Sequence, residues 1–263
     1  MYIPFLFFSS IVAIALFAFS LVLMMVGYRS GKKHLSRYGE KSFTGLGTTE
    51  GAVFALLGLI LAFTISGALQ RFDDRRQLGL KEANAISSAY DRLDLLEGEA
   101  RSALKRKIKE YFKARIELYR TGIGFSFWQT AEIASPEHLA RIKELQMELW
   151  SGAVLGCRSS SSCPMIIPAL NDVFSAARNR DGANYRHPPA AIFLMLFALG
   201  LGSSYLAGVS MAAAKKQSRV HMVAFAAALA IALFAITDIE FPRLGLVQIG
   251  SFDQHLEYLY EKM

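Results

Sequence analysis

Charge is what this chain has least of for its size. Only 19% of its 263 residues are Asp, Glu, Lys or Arg, while 53% are hydrophobic; an ordinary soluble domain has about a quarter of its residues charged. Cysteine is nearly absent, with Cys157 and Cys163 alone. Motifs for chemistry are missing as well. His34, His138, His187, His221 and His255 are scattered and make no H-x-x-x-H or H-E-x-x-H pair, so no metal site is expected. No G-x-S-x-G elbow occurs. The glycines of FTGLGTTEG lack the lysine and the strand that a phosphate loop needs. The chain is therefore expected to be no enzyme and to take no cofactor. Its 29 Lys and Arg exceed its 22 Asp and Glu, but they are spread over loops and helix faces rather than drawn into one stripe beside aromatics. Nucleic acid is not an expected partner.

Long apolar runs take the place of charge. A helix crossing the bilayer core needs about 20 apolar residues, and residues 3–27, 51–69, 190–214 and, more weakly, 220–237 supply four such runs. The first begins MYIPFLFF, without a basic residue, and is far longer than the apolar part of a signal peptide. It reads as a retained span, with membrane lipid as its surroundings. The predicted fold is an all-α membrane protein: four transmembrane helices with a helical domain inserted between the second and third spans. Residues 1–69 form spans one and two with a basic connecting loop, 70–189 the helical extramembrane domain, 190–237 spans three and four, and 238–263 a tail that docks on the helical domain.

Basic residues in short loops mark the cytoplasmic side. The loop after span one carries Arg29, Lys32, Lys33, Arg37 and Lys41, and that between spans three and four carries Lys215, Lys216 and Arg219. Both fall on one side, as four spans require, which places the N-terminus and the helical domain outside the cytoplasm, in a bacterial inner membrane. Cys157 and Cys163, with only RSSSS between them, fit a disulfide formed in an oxidising compartment; two unrelated thiols are the other reading.

Within the insert the apolar spacing is helical, without the period of two that a strand needs. Leu69, Phe72, Leu80, Ala83, Ile86, Tyr90 and Leu93 share one face, and Leu104, Ile108, Phe112, Ile116 and Tyr119 make the next stripe. Leu96-Glu97-Gly98 is the predicted bend and Thr121–Gly124 a turn, followed by the aromatic cluster FSFW. Ser135-Pro136 opens the next helix. About four helices result.

Span two runs without a charge to Leu69 and then meets Arg71, Asp73, Asp74, Arg75 and Arg76. Its small residues Gly51, Ala55, Gly58, Ala62 and Ser66 form a stripe, which suits either close helix packing in lipid or the lining of a narrow pore. The charged cluster is either a water-facing helix with i, i+4 pairs or, repeated around an axis, a collar at a pore mouth that concentrates anions.

FALLGLILAF followed by RFDDRRQLGLKEANAI resembles the second span of bestrophins, where an F-x-L-L-G stretch leads to an aromatic, an acidic residue and an R-x-x-W-G-like run. The tail DIEFPRLG, with Asp238, Glu240 and Pro242, is similar to the I-E-x-P motif after their last span. Over nearly its whole length, including ELQMELW, ALNDVFSAARNR and RHPP, the chain resembles the bestrophin-like family of bacterial membrane proteins. The resemblance implies a homo-oligomer, pentameric in bestrophins, that conducts inorganic ions, anions above all, with span two lining the pore. By position it makes Leu59, Ile60 and Phe63 the neck; one turn beyond Phe63 stands Gly67, so only part of a bestrophin neck is carried. It also implies a cytosolic helical domain, opposite to the side given by the short loops. The alternative function is a non-conducting membrane protein whose exported helical domain binds a partner or scaffolds a complex.

Orientation is open to direct test. A membrane-impermeant thiol reagent, applied to intact cells after mild reduction, is expected to label Cys157 and Cys163. Labelling only after lysis would put the helical domain in the cytoplasm.

Overall fold

The computed structural model describes residues 3–121, 123–126, 131–159, 161–214, 218–241, 246 and 250–263. Pro242, Lys215, Lys216 and the Phe127-Trp128 half of the aromatic cluster lie outside these residues. The described chain is helical apart from one short hairpin. Four of its helices are long and apolar enough to cross a membrane, and the chain divides into two compact units.

The first unit comprises Met1–Gln70 and Pro188–Val247. It contains α1 (Ile3–Tyr38), the first half of α2 (Leu46–Arg92), α6 (Ala190–Ala213) and α7 (Arg219–Glu240). Apolar residues surround these helices on all sides, as sequences that face lipid do, and the buried contact is thin: Leu16, Leu57, Leu196, Leu229, Leu233 and Ile236 form its apolar cluster. Close approach of backbones does the rest. A Cβ placed on Gly208 would stand 2.1 Å from the carbonyl oxygen of Met24, and one on Gly27 would stand 2.2 Å from that of Tyr205. Hydrocarbon offers helices no hydrophobic drive to associate, so small residues that admit backbone contact carry the association. Here those residues are on α1 and α6. Ser218 caps α7 by accepting from the His221 N–H.

The second unit comprises Arg71–His187 and Gln248–Met263. It holds the remainder of α2, α3 (Gly98–Thr121), β1 (Ile123–Ser126), β2 (Ala131–Ala134), α4 (Pro136–Gly156), α5 (Cys163–Ala183) and α8 (Gly250–Lys262). The reversal from α2 to α3 falls at the predicted bend, where Gly98 takes a φ of 65°, a left-handed conformation that glycine adopts at little cost. The apolar stripes meet in one core that includes Ile86, Leu93, Ile108, Phe112, Leu145, Leu149, Ile166 and Leu170. Leu256 of α8 is buried in it, and Tyr260 stacks edge-on against Phe112 with centroids 6.1 Å apart. The turn expected at Thr121–Gly124 is not what Thr121, Ile123 and Gly124 form: Thr121 ends α3, and Ile123 and Gly124 open a strand. Ile123 pairs with Ala134 in an antiparallel two-stranded hairpin, too short to have left a period-two signal.

The backbone contact between α1 and α6 can be probed by size. Gly208→Leu should cost about 1–3 kcal/mol by forcing the two backbones apart, read as a lower Tm in detergent. Gly202→Ala, also on α6 but with open space around it, should leave Tm unchanged or slightly raised.

Candidate functional site

At 3.6 residues per turn, α2 carries two contrasting faces within the first unit. Leu57, Thr64 and Ala68 are buried, and Thr64 returns its hydroxyl to the Ile60 carbonyl at 2.7 Å. On the opposite side Gly51, Ala55, Gly58, Ala62 and Ser66 are all exposed, and nothing beyond the helix's own backbone lies within 4 Å of a Cβ built on Gly51 or Gly58. Among the described residues, the small-residue stripe thus stays open. Beside it stand Leu59, 53% exposed, and Phe63, 69% exposed. Ile60 departs from them: it is half-buried and packs against the apolar cluster of the unit. The three residues singled out for a neck therefore split, two on the open face and one turned inward.

The charged turns that follow, in the second unit, split as well. Asp73, Asp74 and Arg76 are exposed and Arg71 is half-buried; Gln77 donates to Asp73 at 2.9 Å. Arg75 leaves the collar. Only 7% exposed, it donates from Nε to the Ala183 carbonyl at 3.4 Å and from Nη2 to the Arg186 carbonyl at 3.2 Å, and lies 3.5 Å from Nδ1 of His187. Its physical reason is register: Arg75 comes seven residues after Ala68, two turns along the same buried face. A cation at the C-terminal carbonyls of α5 is also favoured by the helix dipole.

One turn pair further on, Glu82 is buried between two arginines. Its Oε1 accepts from Arg115 Nε at 2.5 Å and its Oε2 from Arg180 Nη1 at 2.8 Å. Arg115 forks onward to Asp181, at 3.1 and 2.8 Å, and Tyr119 donates to the same carboxylate at 2.5 Å. The Arg180 guanidinium lies 3.6 Å from the centroid of the Tyr119 ring. Burial opposes the charge on Arg115, but the Glu82 carboxylate and Asp181 outweigh it, holding the guanidinium well above its usual range. Burial pushes the Tyr111 and Tyr119 hydroxyls up, so both stay protonated. Two carboxylates balance two guanidinium groups, and the arrangement ties α2, α3 and α5 together; it is built to hold, not to react. Sequence reasoning passed over it, although a signal was present: Glu82 and Arg115 each interrupt an otherwise apolar stripe.

The two cysteines are half-buried free thiols. Cys163 Sγ donates to the Cys157 carbonyl at 2.8 Å. Burial, and then the hydrogen bond and charge of Cys163, push the Cys157 thiol up to about 11. Asp238 and Glu240, at the end of α7, are buried, and Asp238 accepts from the Leu246 N–H at 2.7 Å. Among the described residues no three His, Cys, Asp or Glu side chains gather as a metal site would require.

Removing Glu82 should be far worse than its single position suggests. Glu82→Ala leaves two buried guanidinium groups short of a countercharge, for an expected loss of about 3–5 kcal/mol. Thermal unfolding in detergent measures it, and a loss below about 1 kcal/mol would show that the cluster is not structural.

A family model described as a Bestrophin-like domain matches residues 14–251. Among solved structures, a bacterial bestrophin homologue from Klebsiella pneumoniae is similar with a TM-score of 0.65 and 13% identity, over 95% of this chain and 97% of that one. A second, described as a membrane protein, gives a TM-score of 0.64 and 13% identity, over 94% and 97%. At such identity the likeness is one of fold. No curated protein matches the sequence.

Proposed function

The chain belongs to the bestrophin-like family, and from that premise we propose that this membrane protein is an oligomeric ion channel, selective for anions, with α2 lining the pore. The observation that carries the reading is the open face of α2. A helix that buries one side against its own chain leaves Gly51, Ala55, Gly58, Ala62 and Ser66 bare on the other, with Leu59 and Phe63 standing out from it. Copies of the chain arranged around an axis would close these faces on one another, five copies on the bestrophin plan. Small residues would then set a close approach and the two bulky ones a constriction.

Anion preference follows the resemblance to bestrophins; the collar itself adds no net charge, since the exposed Asp73 and Asp74 offset Arg71 and Arg76. Arg75, held within the second unit, contributes no charge to it. Ile60 likewise supports the helix from behind, leaving Leu59 and Phe63 as the neck.

Purified protein in planar bilayers, with its mass measured in detergent, tests the reading. A multimer that conducts chloride in preference to sodium is expected, and Phe63→Ala should raise the conductance severalfold by widening the neck. A monomer that passes no current across a range of pH and salt would overturn it and leave a non-conducting protein that works through its helical unit.

A further inference from the structure

At the end of α1 the first unit contains a pocket that the pore reading does not use. It measures about 460 Å³ and opens among Ser30 and His34 of α1, residues 42–45 of the link, Leu46 and Thr49 at the start of α2, and Tyr205, Leu206 and Val209 of α6. Its construction is specific. Gly39 and Gly45 take φ values of 74° and 85°, folding the link back over the end of α1. Ser42 and Thr44 then donate to the Gly39 and Lys41 carbonyls at 2.6 and 2.7 Å, which fixes the link's shape. His34 lies against Tyr38, with the rings tilted, and edge-on to Phe43, with centroids 4.7 and 5.4 Å away. Tyr205 donates to Ser30 at 3.1 Å, so the Ser30 hydroxyl proton is left to point elsewhere.

We infer that this pocket binds an anionic phospholipid, with the phosphate at Ser30 and His34 and the start of the acyl chains along Leu206 and Val209. Three features converge on that class of ligand. First, the side-chain donors suit an oxyanion: the Ser30 hydroxyl and the His34 ring N–H both belong to residues that line the pocket. Second, the surrounding stretch 28–45 holds Arg29, Lys32, Lys33, Arg37 and Lys41 against Glu40 alone. Basic clusters directly beside a span attract anionic head groups at about 1 kcal/mol per side chain. Third, one wall is apolar and continues the apolar surface of α6, which a free phosphate would not need but a lipid would. The residues involved lie apart from the open face of α2, so the inference stands whether or not the protein conducts.

Native mass spectrometry of the detergent-solubilised full chain tests it, with dioleoyl phosphatidylglycerol, dioleoyl phosphatidylcholine and inorganic phosphate as separate probes. Phosphatidylglycerol should be retained about tenfold better than phosphatidylcholine, and phosphate alone should not be retained. Ser30→Ala/His34→Leu removes both side-chain donors and keeps an apolar packing surface at position 34; Lys33→Gln/Lys41→Gln removes two exposed charges. Each should lower phosphatidylglycerol retention about tenfold, the first pair through lost hydrogen bonds to a charged group and the second through lost attraction of two basic side chains. Arg106→Gln/Lys113→Gln removes the same charge from α3 and should change nothing. Equal losses in all three, or no preference between the two lipids, would overturn the proposal; retention of phosphate alone would reduce the site to an anion site without lipid. If the first variant does not elute as the parent does, the Lys33/Lys41 pair against the α3 pair carries the comparison.

Discussion

A backbone that enters hydrocarbon must satisfy its N–H and C=O groups within itself, and α2 meets that demand by remaining one helix for 47 residues. At about 1.5 Å per residue it is about 70 Å long, more than twice the bilayer core. Among its buried positions, Leu57, Thr64, Ala68, Arg75, Glu82 and Ile86 fall on one line along the helix, separated by seven, four, seven, seven and four residues. That is 29 residues in eight turns, the period of a straight α-helix. One face of one helix thus supplies buried groups to each unit in turn: apolar or self-satisfied where lipid surrounds the chain, charged where the helix enters the second unit, and apolar again beyond. The opposite face is freed by the same register, which is why the small-residue stripe stays open.

Charge inside the second unit follows from this geometry. A buried carboxylate with one partner would be a poor bargain against its desolvation, but Glu82 has two guanidinium groups and Arg115 has two carboxylates. Arginine suits the position because its planar fork serves several acceptors at once: Arg115 reaches Glu82, Asp181 and the Ala177 carbonyl. Arg75 uses the same property on the carbonyls that end α5. The two clusters hold α5 to α2 from different heights of the same face.

Much of this was legible in the sequence, and the rest was hidden for identifiable reasons. The apolar runs and the helical stripes are local periodicities, so the four spans, the reversal at Gly98 and the core residues Ile86, Leu104, Ile108 and Phe112 could be read directly. Pairings between distant segments could not. Glu82 meets partners 33 and 98 positions away, and nothing in spacing names them. The glycines show the same limit. Gly51 and Gly58 made the more regular stripe, yet the backbones that touch are those at Gly27 and Gly208, because a stripe shows that a helix can approach another but not which one does. Arg75 was grouped with Arg71 and Arg76 by proximity in sequence, whereas its place on the helix face assigns it to the interior.

The register of α2 also fixes how tall the proposed constriction can be. Leu59 and Phe63 are one turn apart, so their side chains cover about 6 Å of the helix axis. The next turns on that face bring Ser66 and Gln70, both exposed, and Gly67 adds no bulk beside them. An apolar ring closes a pore by expelling water, and a hydroxyl or amide in the ring restores the hydrogen bonds that water needs. The dry segment therefore ends before Ser66, and in the other direction it gives way to the small residues Gly58 and Ala55. A barrier confined to one turn has no second layer behind it, so in the proposed pore the exclusion of water depends on Phe63, the larger and more exposed of the two.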